Sequence, residues 1–205
     1  MINLFKVFSL LILALVFFLV VNTFKITSKQ LVGVEPAPPL VISDSAVVHL
    51  SEAIKFRTVS YADISMIDSA QFQKFIDYAS QTYPLIHSQL KLEKVNSYAL
   101  LYEWKGKNPA LKPVLLMGHY DVVPVIQGTE RLWEHLPYAG DITKDHVYGR
   151  GTLDDKTTVM GVYEAVEYLL KSGYQPERTY YLAFGHDEEV LGKYGAQEIA
   201  SLLEK

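Results

Sequence analysis

The sequence contains no cysteine, and this absence excludes two kinds of site. Without thiols the chain can form neither a disulfide framework nor a thiolate metal site, so any metal must be held by His, Asp or Glu. The sequence also lacks clusters of Lys and Arg interleaved with aromatic residues, and its formal net charge is −4. Because a basic footprint for a polyanion is missing, the composition argues against nucleic-acid binding.

What is present is the composition of a folded protein. Hydrophobic residues make up 49% of the 205 positions and charged residues 20%, which is the balance of a globular chain with a sizeable core. This length is enough for one domain or a small pair of domains.

The amino terminus carries a long apolar run. Residues 7–24 bear no charge, with Lys6 before the run and Lys25 after it. The run is near the lower limit for a bilayer span, about 17 to 25 residues, and longer than the usual core of a signal peptide, about 7 to 15. No Ala-x-Ala-like cleavage site follows, so residues 1–30 are interpreted as an uncleaved single-pass membrane anchor. The alternative is a removed signal peptide and a secreted protein. The signal-like position favours an extracytoplasmic location for the rest of the chain.

A proline-rich stretch at residues 31–45 favours a stiff extended linker. Residues 46–205 are predicted to form the folded part, in which helix-like and strand-like segments alternate. The periodicity predicts helices from Ser43 or Asp44, over Asp68–Tyr83, over residues 156–173 and from Gly195, and strands over residues 97–104, 113–119 and 179–185. The strands at 97–104 and 113–119 are expected to be neighbours. Val47, Val48, Ala53, Ile54 and Phe56 are expected to form the apolar face of the first of these helices.

These segments predict an α/β fold with a mixed, mostly parallel sheet covered by helices on both faces. The chain stops during its last predicted helix, which suggests a truncated sequence and an incomplete domain.

Three polar clusters carry the candidate chemistry: His119 with Asp121, Asp154 with Asp155, and Glu188 with Glu189. In open α/β sheets functional groups gather beyond the carboxyl ends of strands, which is where the first and third clusters fall. The second cluster lies in the loop that enters a long predicted helix.

His119 and Asp121 are in the stretch "MGHYDVVPV". Residues two apart in an extended segment point to the same side, so Asp121 can accept a hydrogen bond from one nitrogen of His119 and leave the other free for a metal. A surface turn before Pro124 is the alternative interpretation.

The other two clusters are in "GRGTLDDK" (149–156) and "FGHDEEVLG" (184–192). Asp154 and Asp155 stand at the predicted start of a helix, where carboxylates are favoured anyway, so helix capping is the alternative for Asp155. Consecutive acids after a buried strand need a cation or water to compensate their charge, so the alternative for Glu188 and Glu189 is a solvated loop. His, Asp and Glu without Cys form a ligand set for zinc or a similar divalent ion, often a pair of ions.

The motifs "GHYDVVPV", "YGRGTLDDK" and "GHDEEVLG", in this order, resemble those of metallopeptidase family 20, the di-zinc family that includes aminoacylase, carnosinase, glutamate carboxypeptidase and carboxypeptidase S. Tyr138, Ala139 and Gly140 after Trp133 resemble the segment between the first two motifs. The likeness is greatest to the branch of carboxypeptidase S and N-fatty-acyl-amino-acid synthase/hydrolase. It implies a zinc-peptidase-like fold that uses two Zn²⁺ ions per complete site and cleaves amide bonds in peptides or N-acyl amino acids.

The resemblance also implies roles for particular residues. His119 would be a zinc ligand oriented by Asp121, Asp154 a carboxylate that bridges both metals, and Glu189 a further ligand. Glu188 would be the general base. A cis peptide bond is expected after Asp154.

The sequence departs from the family pattern in what it omits. One acidic ligand, a late histidine ligand and the inserted domain that mediates dimerisation in relatives are not in these 205 residues. The leading hypothesis is therefore the amino-terminal part of a membrane-anchored hydrolase that is inactive alone. A non-catalytic, membrane-tethered binding or regulatory protein is the alternative, and a different paired-zinc aminopeptidase family is disfavoured by "GRGTLDDK".

Overall fold

The computed structural model of the protein describes residues 3–30, 32–36 and 43–204. The chain divides into two units, Met1–Val41 and Ile42–Lys205. Part of the proline-rich linker, including Pro38 and Pro39, lies outside the described residues.

The first unit contains one long helix, α1 (Leu4–Phe24). The Asn3 side chain caps it by accepting a hydrogen bond from the Phe5 N–H at 3.2 Å. No residue of α1 is buried, and the helix is long and apolar enough to cross a membrane. A signal sequence near an amino terminus meets the same criterion. The predicted amino-terminal helix is therefore present, and its character fits either a signal or an anchor.

The second unit contains helices and strands in alternation. Its helices are α2 (Asp44–Ile54), α3 (Ser69–Thr82), α4 (Pro84–Gln89), α5 (Thr157–Lys171) and α6 (Ala196–Leu203). Its strands are β1 (Lys91–Val95), β2 (Ala99–Trp104), β3 (Val114–His119) and β4 (Tyr180–Gly185). Short helical turns lie at Ile64–Met66, Glu130–Leu132, Thr152–Lys156 and Glu188–Val190.

The strands form one mixed sheet in the order β1-β2-β4-β3. β1 with β2 and β2 with β4 are antiparallel, whereas β3 with β4 is parallel. The sheet is mixed as expected, but two of its three described pairings are antiparallel, so "mostly parallel" is wrong for these strands. The expectation that residues 97–104 and 113–119 are neighbours is also wrong, because β4 lies between them.

Burial agrees with this strand order, in which β2 is an interior strand. Five of the six residues of β2 are buried, which requires cover on both faces of a central strand. The residues of β3 alternate between half-buried and exposed up to Gly118, and Leu115 and Met117 are 41% and 59% exposed. The predicted cover on both faces of the sheet is therefore incomplete at β3.

Helices α2 to α5 cover one face of the sheet with the larger core. The buried members of this core include Phe72, Phe75, Ile76 and Ala79 of α3, Leu100 and Tyr102 of β2, Val159 and Tyr163 of α5, and Leu182 and Phe184 of β4. Helix α6 packs on the other face through a smaller cluster of Val95, Ala99, Leu101, Ala183 and Ile199. Helices therefore lie on both faces, as the sequence predicts.

Helix α2 differs from its predicted face. Ser43 caps it, as expected, by accepting from the Ser45 N–H at 3.3 Å. Its buried residues are in the last turn, at Ser51, Ala53 and Ile54, whereas Val47 and Val48 are exposed. The helix packs by its carboxyl end, so the amphipathic pattern overestimates the length of the buried stripe.

Candidate metal centre

The candidate centre forms where β3 and β4 end side by side. His119, the last residue of β3, pairs with Gly185, the last residue of β4, and the Tyr120 N–H donates to the Gly185 carbonyl at 3.1 Å. Because the two strands are parallel, their carboxyl ends meet at one edge. His119 is therefore adjacent to the loop that carries Glu188 and Glu189.

A tight turn brings Asp154 to the same edge. Gly151 has φ +86°, and a Cβ at this position would lie 2.5 Å from Cγ1 of Val122, so both the backbone conformation and the close approach require glycine. The peptide bond from Asp154 to Asp155 is cis, as the family resemblance implies. The chain then enters α5, where the Lys156 N–H donates to the Gly151 carbonyl at 3.0 Å.

Three side chains form a candidate ligand set. One ligand atom from each of His119, Asp154 and Glu189 lies within 4.8 Å of the others. Donors bound to zinc at about 2.0 to 2.2 Å lie at most about 4.4 Å apart, so the set is close to the span that one ion requires. Imidazole and carboxylate are also the donor types that zinc accepts. The residues present fit a divalent metal.

The individual contacts show how the cluster is arranged. Nε2 of His119 lies 2.9 Å from Oδ1 of Asp154 and 3.6 Å from Oε2 of Glu188. The side chain of His119 is 10% exposed, whereas those of Asp154 and Glu188 are 74% and 58% exposed. The histidine is thus fixed by the fold, and the carboxylates face solvent.

Asp121 lies behind this cluster and is fully buried. Nδ1 of His119 is 3.2 Å from the main-chain oxygen of Asp121 and 3.4 Å from its carboxylate. The carboxylate accepts hydrogen bonds from the Glu188 and Glu189 N–H groups at 3.1 and 3.2 Å. Asp121 therefore does more than orient His119, because it also anchors the backbone of the acidic loop.

Ser60 completes this arrangement, and sequence reasoning missed it. Its buried hydroxyl donates to Oδ2 of Asp121 at 2.6 Å. Main-chain hydrogen bonds place Ser60 there: Val122 N–H donates to the Thr58 carbonyl at 2.9 Å, and Ser60 N–H to the Val122 carbonyl at 3.2 Å. No local pattern in the sequence marks a serine so distant from the motifs.

Asp155 does not cap helix α5, which begins at Thr157 and has no side-chain capping bond. Instead, Oδ2 of Asp155 accepts from the His119 N–H at 3.4 Å. The helix-cap alternative for Asp155 is therefore wrong, and its carboxylate contacts the end of β3.

Lys156 is a second residue that sequence reasoning missed. Its buried ammonium donates to the carbonyls of Ala53 and Phe56 at 2.9 and 2.7 Å and lies over the Phe75 ring at 5.6 Å. Burial lowers the pKa of Lys156, and the nearby carboxylate of Asp121 raises it by less, so that the pKa is lowered to about 7. Lys156 ties the turn that carries Asp154 to the carboxyl end of α2. A lysine beside two acids in "LDDK" was the available signal.

The electrostatics of the site follow from burial and massed carboxylates. Burial by itself lowers the pKa of His119, but Asp121, Glu188 and Asp154 outweigh burial and raise that pKa to about 9. Burial raises the pKa of Asp121. Hydrogen bonds from His119, Ser60 and the two backbone amides together lower this pKa by more, so that it lies below its ordinary value. Burial and the Asp154 carboxylate raise the pKa of Glu189. A site of this kind favours a bound cation.

Residues 115–205 match the model of Peptidase family M20/M25/M40. This range includes all the candidate site residues named from the sequence: His119, Asp121, Asp154, Glu188 and Glu189.

Curated relatives are similar over most of the chain. A probable carboxypeptidase S-like 2 of Dictyostelium discoideum is 40% identical over 198 residues, covering 92% of this chain and 38% of the relative. Carboxypeptidase S of Saccharomyces cerevisiae is 42% identical over 78% of this chain and 29% of its own length. The N-fatty-acyl-amino acid synthase/hydrolase PM20D1 of Mus musculus is 40% identical over 76% of this chain and 30% of its own length. The chain thus spans less than two fifths of these relatives.

Solved structures share the fold at low sequence identity. Human carnosine dipeptidase 1 has a TM-score of 0.60 at 20% identity, over 78% of this chain and 35% of that protein. The di-peptidase Dug1p of Saccharomyces cerevisiae has a TM-score of 0.58 at 21% identity, over 78% of this chain and 34% of its own length. The expected zinc-peptidase-like fold agrees with these neighbours. The three motifs, the family match and the curated relatives identify the chain as a member of Peptidase family M20/M25/M40.

Proposed function

We propose that this chain forms part of the active centre of a zinc-dependent hydrolase that cleaves amide bonds. The observation that supports the proposal most directly is the convergence of His119, Asp154, Glu188 and Glu189 at one open edge of the sheet. His119, Asp154 and Glu189 would hold zinc. When bound, zinc polarises an amide carbonyl and makes a water molecule more acidic.

Glu188 is the general base in this proposal. Its carboxylate is exposed, and Oε2 lies 3.6 Å from Nε2 of His119, so it stands beside the ligand set without belonging to it. In that position it can take a proton from the attacking water and return it to the leaving amine. Positioned acid–base groups of this kind typically contribute about 10² to 10⁴ in rate.

Asp121 is the positioning residue. Its buried carboxylate lies against His119 and accepts from the backbone of the acidic loop, so one side chain fixes both a ligand and the base. Second-sphere partners of metal-bound histidine typically affect metal affinity or activity by about 10- to 100-fold.

Two zinc ions need more donors than these three side chains supply. We propose that Asp154 would contribute to holding both ions and that further ligands would come from outside the described set. It follows that residues 1–205 alone would be inactive or nearly inactive as a hydrolase, since transition-state stabilisation depends on complete and preorganised sites.

The proposed substrates are peptides or N-acyl amino acids. The names of the similar proteins include carboxypeptidase S and N-fatty-acyl-amino acid synthase/hydrolase, both of which refer to an amide bond beside an amino acid. Asp154 and Glu188 are exposed at the open edge of the sheet, so an amide bond of such a substrate could reach them. Dimerisation is proposed only for the longer protein, by analogy with the family.

Metal binding is the first test. We expect the full chain to bind Zn²⁺ in calorimetry, and we expect His119→Ala, Asp154→Asn and Glu189→Gln each to weaken binding by about tenfold or more. Glu188→Gln and the matched control His135→Ala should leave zinc affinity within about twofold. If His135→Ala weakened binding as much as His119→Ala, the assigned ligand set would be wrong.

Amidase activity is the second test. The chain should be compared with a version extended by the downstream reading frame, on dipeptides and on N-acyl amino acids. We expect turnover in the extended form and a loss of about 10² to 10⁴ in kcat with Glu188→Gln. Zinc binding without turnover in either form would support the alternative, a tethered binding or regulatory protein that retains part of a metal site.

We further propose that α1 is a single-pass membrane anchor with the second unit on the extracytoplasmic side. The support is the uncharged run of residues 7–24 without a cleavage-like site after it. In expressing cells the protein should resist carbonate extraction and retain its amino terminus. Release into the medium with a new amino terminus would favour the secreted form.

A further inference from the structure

The candidate ligand set comes from two separate parts of the chain. His119 ends β3 and Glu189 lies in the loop after β4, whereas Asp154 lies in the turn that precedes α5. We call residues 151–156 the ligand turn. A metal ion holds its donors at narrowly defined distances, so the fold has to fix the position of the ligand turn relative to β3.

The side chain of Asp154 does not fix this position by itself. It is 74% exposed, and its one hydrogen bond among the described residues joins Oδ1 to Nε2 of His119 at 2.9 Å. The backbone of the ligand turn therefore places the carboxylate. Within the turn, the Lys156 N–H donates to the Gly151 carbonyl at 3.0 Å, which joins its two ends.

The side chain of Lys156 is buried beneath the ligand turn. It has no exposed surface, and its Cδ lies 3.6 Å from the position that a Cβ would take at Gly151, so its stem packs against the start of the turn. Its ammonium donates to the carbonyls of Ala53 and Phe56 at 2.9 and 2.7 Å. One residue thus connects the ligand turn, through its backbone and its side chain, to the carboxyl end of α2.

The Phe56 carbonyl leads to the other part of the ligand set. It also accepts from the Thr58 N–H at 2.9 Å. The Thr58 hydroxyl donates to the Tyr120 carbonyl at 2.5 Å, and the Thr58 carbonyl accepts from the Val122 N–H at 2.9 Å. Because Tyr120 and Val122 flank Asp121, hydrogen bonds connect the buried ammonium to the segment that carries Asp121.

A lysine is unexpected at this position if packing is its only role. Burying an ammonium costs free energy, and among the described residues no carboxylate forms an ion pair with Lys156. The two carbonyls and the Phe75 ring, 5.6 Å away, compensate its charge. An apolar side chain could fill the same space but could not donate to two carbonyls. The ammonium therefore indicates that these two hydrogen bonds have a role in the geometry of the site.

We propose that Lys156 is a positioning residue of the candidate metal centre and that it fixes the spacing between Asp154 and His119. Its backbone closes the ligand turn, and its ammonium attaches that turn to the segment that carries Asp121. In this role Lys156 contacts neither the ion nor the substrate, and it acts through the ligand that it places. The inference rests on the proposed function, in which Asp154 and His119 hold zinc.

The first test measures zinc affinity and stability separately. Lys156→Met removes the ammonium and keeps an unbranched side chain in its place. We expect it to weaken zinc binding in calorimetry by about tenfold or more, because the ligands lose their fixed spacing. The matched control is Leu170→Ala, which truncates a side chain of the larger core near the other end of α5. It should lower the midpoint of urea unfolding but leave zinc affinity within about twofold.

Hydrogen exchange in EDTA gives a second measurement, which needs no metal. The backbone amides at positions 152 and 156 lie in the ligand turn, and the amide of Tyr163 lies in the middle of α5. In Lys156→Met the turn amides should exchange at least about tenfold faster relative to Tyr163, since the turn opens locally. In Leu170→Ala this ratio should not rise.

Circular dichroism establishes that each variant is folded. If Lys156→Met does not fold, Lys156→Gln replaces it, with a neutral donor on a shorter side chain and the same expected effects. A loss of stability with unchanged zinc affinity would show that Lys156 serves packing only and would overturn the proposal. If the unsubstituted chain bound no zinc, the proposed function would fail, and the exchange ratio would decide on Lys156: a raised ratio would support its positioning of the turn, and an unchanged ratio would overturn it.

Discussion

The two faces of the sheet differ in how completely the described residues cover them. On the face under α2 to α5, Leu100, Tyr102 and Phe184 have no exposed surface. On the face under α6, Leu115 and Met117 of β3 are 41% and 59% exposed. We call the face under α2 to α5 the closed face and the face under α6 the open face. The closed face contains most of the buried core, whereas the open face adjoins the candidate metal centre.

A groove on the open face joins the exposed part of β3 to the candidate metal centre. It has a volume of about 330 Å³ and is lined by residues that include Met117, Ile199 and Leu203, with His119 and Glu188 also in its lining. Residues two apart on a strand share a face, so Leu115, Met117 and His119 lie on one side of β3. The same strand face that is poorly covered therefore presents the candidate ligand.

The largest effect is expected from truncation on the closed face. Phe75 is fully buried and stacks on Tyr120 at 4.4 Å between ring centroids. Phe75→Ala should lower the free energy of unfolding by about 3 to 5 kcal/mol, since it removes a large buried ring and leaves a cavity. Urea unfolding measures this. Met117→Ala on the open face should cost less than about 1 kcal/mol, and equal costs for the two variants would contradict the comparison.

A smaller effect is expected from Ser60, which contacts Asp121 beside the candidate metal centre. Ser60→Ala removes a hydrogen bond to the buried carboxylate of Asp121. Hydrogen bonds to charged groups contribute about 1.5 to 3 kcal/mol, so urea unfolding should show a loss of that size. Zinc affinity should fall as well, because Asp121 anchors His119 and the acidic loop. Ser60→Thr keeps the hydroxyl and should restore zinc affinity; failure of this rescue would assign the loss to packing alone.

Sequence reasoning predicted the local elements better than their arrangement. The apolar spacing at Phe72, Phe75, Ile76 and Ala79 identified helix α3 and its buried face, because a 3.6-residue period is a local property. The order of the strands is not local. Strand β4 separates β2 from β3, and nothing in the three apolar runs shows which one is central.

The same distinction applies to the candidate site. His119, Asp154, Glu188 and Glu189 were found from motifs, and the structure brings them together. Ser60 was missed because its contact with Asp121 spans 61 positions of the chain. The short strand β1 and helix α4 were also missed. Pro84, directly after the predicted helix, is the first residue of α4, a position where proline is favoured because no backbone N–H is needed.

The protonation of His119 gives a prediction of intermediate size. Its pKa is raised to about 9 in the folded chain without metal, so this group stabilises the fold fully below pH 6.5 and loses that contribution as the pH rises through 9. Zinc requires the neutral ring and must displace the proton below pH 9. Zinc affinity should therefore fall by about tenfold for each unit of pH below 9. Calorimetry at pH 7 in two buffers should detect proton release. A zinc affinity that did not change between pH 7 and pH 8.5 would contradict this assignment.

The smallest effect is expected where β3 faces solvent, and here neighbouring residues provide the control. Leu116 packs against the larger core, whereas Met117, the next residue, points to the open face. Leu116→Gln should destabilise the chain by about 1 to 3 kcal/mol because it places an amide against apolar side chains. Met117→Gln keeps the length of the side chain in solvent and should change the free energy of unfolding by less than about 0.5 kcal/mol. If Met117→Gln cost as much as Leu116→Gln, the open face would have to be covered in the purified protein, and the groove beside His119 would belong to an interior rather than to a surface.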